Sequence, residues 1–316
     1  MEKNKKFFFS IIIPFFLLRK KDNFFLQKCL ESLKTQSLEQ KFYEILLIND
    51  GSAIPISKQI KNLKKNFKNL KYFEFEKNKG QGPARNLGLK AAVADYILFL
   101  DADDELPKFA LKRQFNYLKR KNIDIFTFNW KFKTFKTNKG LRKDFKFLKN
   151  FNNKKNILKK FLSMNFDGSV IFTVAKRKLF LKNKITFPKG FHEDIPVIFQ
   201  LYYYARKIRF SNKIYYLKNK RPNSVMSNFD KKRISGYLNS WNFLRKFCLK
   251  NFSVNYFNSN LKKYFITGIK GIIAIMLIEN FKLNKKWKMR KKKLFFHKNK
   301  VFKDFWKFYI KKITDK

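Results

Sequence analysis

Apolar and polar residues follow one another in the first hundred residues as they do in alternating strands and helices. Runs dominated by apolar residues at Phe7–Ile13, Glu44–Ile48 and Tyr96–Leu100 predict strands covered on both faces. Lys71–Glu76 alternates apolar and polar residues, which predicts a further strand. Apolar residues at helical spacing predict three helices between these strands: around Leu26, Leu30 and Leu33; around Ile60, Leu63, Phe67 and Leu70; and over Ala84–Ala94.

The order of these elements predicts the fold class. A β-α-β-α-β-α-β order is typical of an α/β domain with a mostly parallel central sheet and helices on both faces. In such sheets, ligands bind beyond the carboxyl ends of the strands. Polar clusters follow Ile48 and Leu100, at the ends of two predicted strands. We therefore expect the functional site at that edge of the sheet.

The rest of the chain is less regular. Ile123–Trp130 and Ile214–Leu217 are predicted strands, and Ser169–Asp194 is expected to contain mixed short elements. Lys131–Asn156 is basic and low in complexity, which predicts an irregular insertion. From Asp230 onward the pattern is helical and strongly basic.

The amino terminus resembles a signal peptide in part, because the basic segment Glu2–Lys6 precedes the apolar run Phe7–Leu18. Pro14 interrupts that run, and the residues that follow include no small-residue cleavage site. We interpret the run as a buried strand that ends at Pro14. No stretch reaches the roughly 18 apolar residues of a spanning helix, so no membrane span is predicted.

Charge adds a second kind of information. The chain has 74 Lys and Arg residues against 22 Asp and Glu residues, a formal net charge of +52. Such a surface attracts polyanions, either nucleic acid or anionic lipid. Codons rich in A and T explain part of this excess and much of the excess of Phe, of which there are 41. Cys29 and Cys248 are too few for a disulfide framework, which fits a reducing cytoplasm.

An acidic turn directly after the strand Tyr96–Leu100 is the main chemical feature. The carboxylates of Asp101, Asp103 and Asp104 crowd this turn and repel one another. A divalent cation relieves such repulsion, and oxygen ligands suit Mg²⁺ or Mn²⁺, which in turn bind a diphosphate. A solvated acidic turn is the alternative interpretation.

Two further groups are expected in the same crevice. Asp50 ends the second strand, where its carboxylate can accept hydrogen bonds from a base or a ribose, although Asn49-Asp50-Gly51 is also an ordinary turn signal. The polar loop Asn78–Pro83 opens the helix that contains Arg85, and such a loop lets backbone approach phosphates. Alternatively, Arg85 pairs with a carboxylate at the end of the sheet.

The order and spacing of these motifs resemble family 2 glycosyltransferases of the GT-A fold. The resemblance depends on Ser10–Pro14, Ile48–Ser52, Asn78–Gly88 and Phe99–Asp104, followed by two later segments, Phe187–Pro196 and Tyr216–Ser227. It covers residues 7–228 and has one departure, because Phe16-Leu17 stands where the family usually has Tyr-Asn.

The resemblance implies roles for residues on the donor side. Asp103 would bind Mn²⁺ or Mg²⁺ under the diphosphate, together with Asp101. A nucleotide-sugar donor, usually a UDP-sugar, would be bound by Pro14, Asp50, Arg85, Asp101, Arg221, Ser224 and Ser227. Of these, Pro14 and Asp50 would contact the base and Asp101 the ribose, and the last three would help close over the diphosphate.

On the acceptor side, Glu193 and Asp194 match the motif that supplies the catalytic base in this family. A sugar hydroxyl must lose its proton as it attacks. We assign Asp194 as the base and Glu193 as its acceptor-binding neighbour, with the reverse assignment as the alternative. The resemblance thus predicts an inverting transferase that acts on a bacterial surface glycan such as lipooligosaccharide or capsule, including a lipid-linked acceptor.

The resemblance also divides the chain. Residues 1–228 would form the GT-A catalytic domain, with a nucleotide-sugar-binding half over 1–125 and an acceptor-binding half over 126–228. Residues 229–316 would form a basic helical extension, in which Lys282–Lys316 mixes aromatic residues with many lysines. Basic helices with aromatic faces lie on anionic membranes, which predicts a peripheral enzyme on the inner face of the cytoplasmic membrane. The alternative is a helical cap packed on the catalytic domain.

Two other functions stay open from sequence. The charge and the Phe-rich stretches favour a non-catalytic protein that binds nucleic acid, although no RNA-binding signature is visible and the basic residues are spread along the whole chain. The departure at Phe16-Leu17 leaves room for a degenerate transferase that binds a donor without turnover.

Overall fold

A seven-stranded sheet forms the centre of the protein in a computed structural model that describes residues 7–56, 60, 65–133, 154–163, 169–219, 231–252, 261, 264, 266 and 268. The strands are β1 (Phe9–Phe15), β2 (Tyr43–Asn49), β3 (Leu70–Glu74), β4 (Tyr96–Phe99), β5 (Ile125–Phe132), β6 (Thr173–Lys176) and β7 (Ile208–Lys218). The longer helices are α1 (Asn23–Lys34), α2 (Gln81–Ala91), α3 (Ala110–Lys121), α4 (Lys154–Leu162), α5 (Arg177–Lys182), α6 (Asp194–Tyr204) and α7 (Lys231–Asn251).

The strand order is β3-β2-β1-β4-β6-β5-β7, and most neighbouring strands are parallel. Only β6 runs against its neighbours β4 and β5. Because both pair antiparallel with β6, β4 and β5 run in the same direction. The carboxyl ends of six strands therefore lie at one edge of the sheet, which we call the carboxyl edge; the opposite edge is the amino edge. The predicted mostly parallel α/β sheet is confirmed.

Burial explains why the strands near the middle of the sheet lack an alternating pattern. Every residue of β1, β2 and β4 is buried, as expected for strands with helices on both faces. The interpretation of the first apolar run as a buried strand is confirmed, although the strand includes Pro14 and ends at Phe15. Helix α1 buries Leu26, Leu30 and Leu33 at the predicted helical spacing.

Several predicted boundaries differ from the structure. The predicted second helix fits Ile60, which is helical, but Leu70 begins β3, and Leu63 lies outside the described residues. Phe67 and Leu70 are both buried, so burial at helical spacing continued across the end of the helix. The predicted irregular insertion Lys131–Asn156 is also too long, because its first two residues extend β5 and its last three begin α4; residues 134–153 lie outside the described part.

The start of the basic extension packs on the rest of the chain. Helix α7 contacts α6 and buries Tyr237, Trp241, Leu244 and Cys248 in the hydrophobic core. This arrangement matches the cap alternative for the first part of the extension, whereas Lys282–Lys316 lies outside the described residues. Among the helices that the structure describes, none combines the length and the apolar character of a membrane span.

Candidate active site

The acidic turn lies at the carboxyl edge, directly after β4. One carboxylate oxygen from each of Asp101, Asp103 and Asp104 lies within 4.8 Å of the others. Asp101 and Asp103 are half-buried, whereas Asp104 is buried. The three carboxylates are therefore close enough to interact strongly.

Asp104 anchors this turn to β7. Its Oδ2 accepts a hydrogen bond from the Tyr216 hydroxyl at 2.9 Å, and its Oδ1 accepts one from the backbone N–H of Asn219 at 2.9 Å. The same Tyr216 hydroxyl accepts a hydrogen bond from the Asp101 backbone N–H at 3.2 Å. Burial, followed by the charge of Asp103, raises the pKa of Asp104 from 3.8 to about 8. Asp104 therefore has a structural position, and Asp101 and Asp103 are the more exposed carboxylates of the turn.

The donor set of this turn fits a divalent cation. Half-buried carboxylates this close to one another offer hard oxygen ligands, and the charge of Asp103 adds to the effect of burial in raising the pKa of Asp104. The Asn219 side chain also holds the turn in place, since its Nδ2 donates to the Asp103 carbonyl at 2.8 Å. The residues present thus fit a divalent cation, and the assignment of Asp103 and Asp101 as its ligands stays a prediction.

Asp50 fixes the loop in front of α2. Its Oδ1 accepts a hydrogen bond from the Lys79 N–H at 2.8 Å, and its Oδ2 accepts hydrogen bonds from the Gly80 N–H at 2.9 Å and from Asn78 at 3.1 Å. Burial raises the pKa of Asp50, although these backbone bonds oppose the shift. The next residue must be glycine, because Gly51 has a φ of +68° and an added Cβ would lie 2.4 Å from the carbonyl carbon of Lys77.

The departure from the family pattern after β1 has a clear local structure. Pro14 is buried and pairs in register with Ile48 of β2, so β1 ends beside the segment that contains Asp50. The Leu17 N–H donates to the Ser52 hydroxyl at 2.9 Å, which ties the two segments together. Phe16 is partly exposed between these contacts. The loop is thus anchored to β2 without the Asn that the family usually has.

Arg85 joins the acidic turn to the predicted base motif. Its buried guanidinium donates through Nη2 to Asp101 Oδ1 at 3.1 Å and through Nη1 to Glu193 Oε1 at 2.5 Å. Gln81 donates to the same Asp101 oxygen at 2.9 Å. Burial disfavours the charge of Arg85, but Asp101, Glu193 and Asp194 outweigh burial and raise its pKa. The predicted alternative, a pairing with a sheet-end carboxylate, is found, and the pairing with Glu193 is an addition to it.

Helix α2 positions the acidic segment Phe187–Pro196 at the same edge. The Asn86 amide donates to the Phe187 carbonyl and accepts from its N–H, both at 2.8 Å. Gly82 allows close approach, since a Cβ there would lie 2.3 Å from the Pro188 carbonyl oxygen. Glu193 is buried, and Asp194 is the half-buried first residue of α6. Helix α2 thus contacts both the acidic turn and the segment Phe187–Pro196.

The structure brings together most of the residues singled out from sequence. Asp101 and Glu193 meet at Arg85, Asp194 contributes to the potential there, and Asp50 is tied to the loop that opens the same helix. Arg221, Ser224 and Ser227 lie outside the described residues. Sequence reasoning assigned no role to four residues that orient the site, although all four lie in the segments Asn78–Gly88 and Tyr216–Ser227 that carry the resemblance: Asn78, Gln81, Tyr216 and Asn219.

Comparison with known proteins identifies several relatives. The model of glycosyl transferase family 2 matches residues 10–181, more than half of the chain. The poly(ribitol-phosphate) beta-glucosyltransferase of Bacillus spizizenii is 31% identical over 232 residues, which are 69% of this chain and 33% of that protein. The cholesterol galactosyltransferase of Borreliella burgdorferi is 28% identical over 70% of this chain and 63% of that protein. The chain thus spans about a third of the length of the first relative.

Solved structures share the fold at low sequence identity. Residues 1–349 of S. aureus TarS, in complex with UDP-GlcNAc, align with a TM-score of 0.57 and 20% identity over 85% of this chain and 81% of that chain. The mannosyltransferase PcManGT of Pyrobaculum calidifontis, in complex with GDP-Man and Mn²⁺, aligns with a TM-score of 0.58 and 12% identity over 85% of this chain and 73% of that chain. The predicted GT-A fold is therefore confirmed, and with the match over residues 10–181 the chain belongs to glycosyl transferase family 2.

Proposed function

We propose that this protein is an inverting glycosyltransferase that moves a hexosyl or N-acetylhexosaminyl group from a UDP-sugar to a hydroxyl of a bacterial surface glycan. The observation that supports it most is the position of Arg85, which pairs with Asp101 of the acidic turn and with Glu193 of the base motif. In this proposal the donor and the acceptor are therefore bound next to each other at the carboxyl edge. Family membership favours this function over the nucleic-acid-binding alternative.

The donor occupies the ends of β1, β2 and β4 in this proposal. Pro14 and Asp50 contact the uracil, and Asp101 contacts the ribose. Arg221, Ser224 and Ser227 close over the diphosphate; the segment that contains them follows Asn219, which is bonded to Asp103 and Asp104. The complex of TarS with UDP-GlcNAc supports a uridine nucleotide.

Asp103 and Asp101 would hold Mn²⁺ or Mg²⁺ at the acidic turn. A divalent ion supplies charge stabilisation to the departing nucleoside diphosphate. The complex of PcManGT with Mn²⁺ supports this class of cofactor. Arg85 orients Asp101, since its guanidinium and Gln81 share one oxygen of that carboxylate.

Asp194 is the catalytic base. The carboxylate of Glu193 is buried and paired with Arg85, whereas Asp194 opens α6 and is half-buried. Asp194 takes the proton of the acceptor hydroxyl while the acceptor oxygen bonds to the anomeric carbon of the donor sugar. The bond from that carbon to the diphosphate breaks on the opposite face. Glu193 binds the acceptor next to the base. Because no covalent intermediate forms, no protein nucleophile is required.

The acceptor is a surface glycan such as lipooligosaccharide or capsule, in some cases linked to lipid. The names of two relatives mention poly(ribitol phosphate) and cholesterol, which supports a polymer or a lipid as the acceptor. The protein is peripheral on the inner face of the cytoplasmic membrane, through Lys282–Lys316. Co-sedimentation with anionic and neutral liposomes tests this point, using a chain that stops before Lys282 and so retains α7. Undiminished anionic binding by that chain would rule out the segment as the anchor.

A panel of nucleotide sugars tests the proposed reaction. Purified protein with Mn²⁺ and glycan acceptors should release a nucleoside diphosphate from one donor, and the release should depend on the acceptor. UDP binding without release from any donor would instead support the degenerate transferase. If the protein neither binds UDP nor releases a nucleoside diphosphate from any donor, the proposed function is refuted.

A further inference from the structure

A basic pocket lies at the amino edge, on the side of the sheet opposite the acidic turn. Its volume is about 370 Å³, and Ile123, Ile157 and Ile208 form a buried apolar floor. Five exposed cationic side chains surround that floor: Lys121, Lys154, Arg206, Lys207 and Arg209. Ile208 begins β7 and pairs in register with Ile125 at the start of β5. Since β5 has eight residues, the pocket is about 25 Å from the carboxyl edge.

The charge of this pocket has no carboxylate partner among the described residues. None of the five cations forms a salt bridge there; Lys154 Nζ donates to the Tyr203 carbonyl, and Arg209 donates to the Ile208 carbonyl. The neighbouring carboxylate, Asp124, is already occupied. Its Oδ1 accepts from Lys176 at 2.9 Å, and its Oδ2 accepts from the backbone N–H groups of Arg206 and Lys207.

A cleft lined by charges of one sign concentrates the electric field and attracts the opposite charge. The chain is basic everywhere, so exposed lysines alone would mean little. Here, however, five cations share one concave site, and two of them are arginines. A guanidinium group can bind phosphate in a bidentate manner, through two parallel hydrogen bonds. The apolar floor adds a surface for carbon atoms attached to such a phosphate.

We propose that this pocket binds a phosphate group with an organic substituent, at a site separate from the donor site. The ligand is either a free phosphate ester or the headgroup of an anionic phospholipid, and the chemistry of recognition is the same for both. The proposal does not depend on the transfer reaction, because none of the pocket residues lies in the acidic turn or in the base motif.

The test compares two full-length variants that lose the same charge. The pocket variant is Lys121→Gln, Arg206→Gln and Arg209→Gln; the matched control is Lys34→Gln, Lys90→Gln and Lys182→Gln, which removes exposed lysines elsewhere. Calorimetry with glycerol 3-phosphate, in EDTA, measures binding of a free ester. Co-sedimentation with phosphatidylglycerol or phosphatidylcholine vesicles measures binding to the headgroup. Both are run at about 0.15 M salt, where charges more than about 8 Å apart are largely screened.

The pocket variant should bind about tenfold more weakly than the control in at least one arm, since it loses three of five charged contacts. Loss in calorimetry assigns a free phosphate ester, and loss limited to anionic vesicles assigns a lipid headgroup. Equal binding by the two variants in both arms, or no binding by the wild type in either, would overturn the proposal. Thermal unfolding of both variants checks that they are folded.

Discussion

Replacement of Arg85 by Met should destabilise the protein strongly. Arg85 is 3% exposed, and the side chains of Glu193 and Asp101 are 8% and 22% exposed. Removal of one partner from a buried ion pair costs about 3–5 kcal/mol, because the other charge stays buried without compensation. The cost of leaving Glu193 unpaired falls in that range, whereas leaving the better hydrated Asp101 unpaired adds less. We expect the free energy of unfolding to fall by about 3 kcal/mol.

Urea denaturation followed by tryptophan fluorescence measures this loss. Lys41→Met is the matched control, since Lys41 pairs with Glu39 at 2.7 Å while both side chains are at least half exposed; it should cost at most about 1 kcal/mol. Adding Glu193→Gln to Arg85→Met should recover part of the loss, because the unpaired charge is gone. An Arg85→Met variant no less stable than the control, or a double variant as unstable as the sum of both single losses, would refute the reasoning.

Three further variants have distinct expected results. Asp194→Asn should lower kcat by about 10²–10⁴ while donor affinity stays near wild type, as measured by steady-state kinetics. If only Glu193→Gln had this effect, Glu193 would be the base. Asp124→Asn should cost about 2 kcal/mol at pH 7. Burial alone would raise the pKa of Asp124, but Lys176 and two backbone N–H groups lower it below 3.8, so this stabilisation is lost as the pH falls below 3.8. In urea titrations, the free energies of unfolding of wild type and Asp124→Asn should therefore differ by less at pH 3 than at pH 7. An equal difference at both pH values would contradict this role of Asp124. Gly51→Ala should cost about 1–3 kcal/mol through backbone strain and steric overlap, and a thermal midpoint equal to wild type would contradict it.

The placement of the site at the carboxyl edge could be predicted from sequence. Asp50 and Asp101 each follow a buried run, and the element order makes those strands parallel, so local pattern and topology together bring their ends to one edge. The role of Arg85 could be predicted only as a choice between phosphate and carboxylate. Its contact with Glu193 joins residues 108 positions apart, and that distance leaves no local pattern.

Other features depended on tertiary packing. β6 has four residues and lies between β4 and β5, where its direction is set by the sheet and not by its own sequence. Leu70 fits a helical spacing but begins β3, because burial at every third or fourth position does not distinguish one element from two. Tyr216 falls in a predicted strand and in the segment Tyr216–Ser227, but only the structure shows that its hydroxyl bonds to both Asp101 and Asp104.

In the proposed function, the acidic turn binds a nucleoside diphosphate through a divalent ion. Calorimetric titration of UDP, in Mn²⁺ and in EDTA, tests it most directly when wild type is compared with Asp103→Asn. Wild type should bind UDP at least about tenfold more tightly with Mn²⁺ than with EDTA, and the variant should lose that difference, since it loses a carboxylate ligand. UDP binding by wild type that is the same in Mn²⁺ and EDTA, or an Asp103→Asn variant with full Mn²⁺ dependence, would contradict the account.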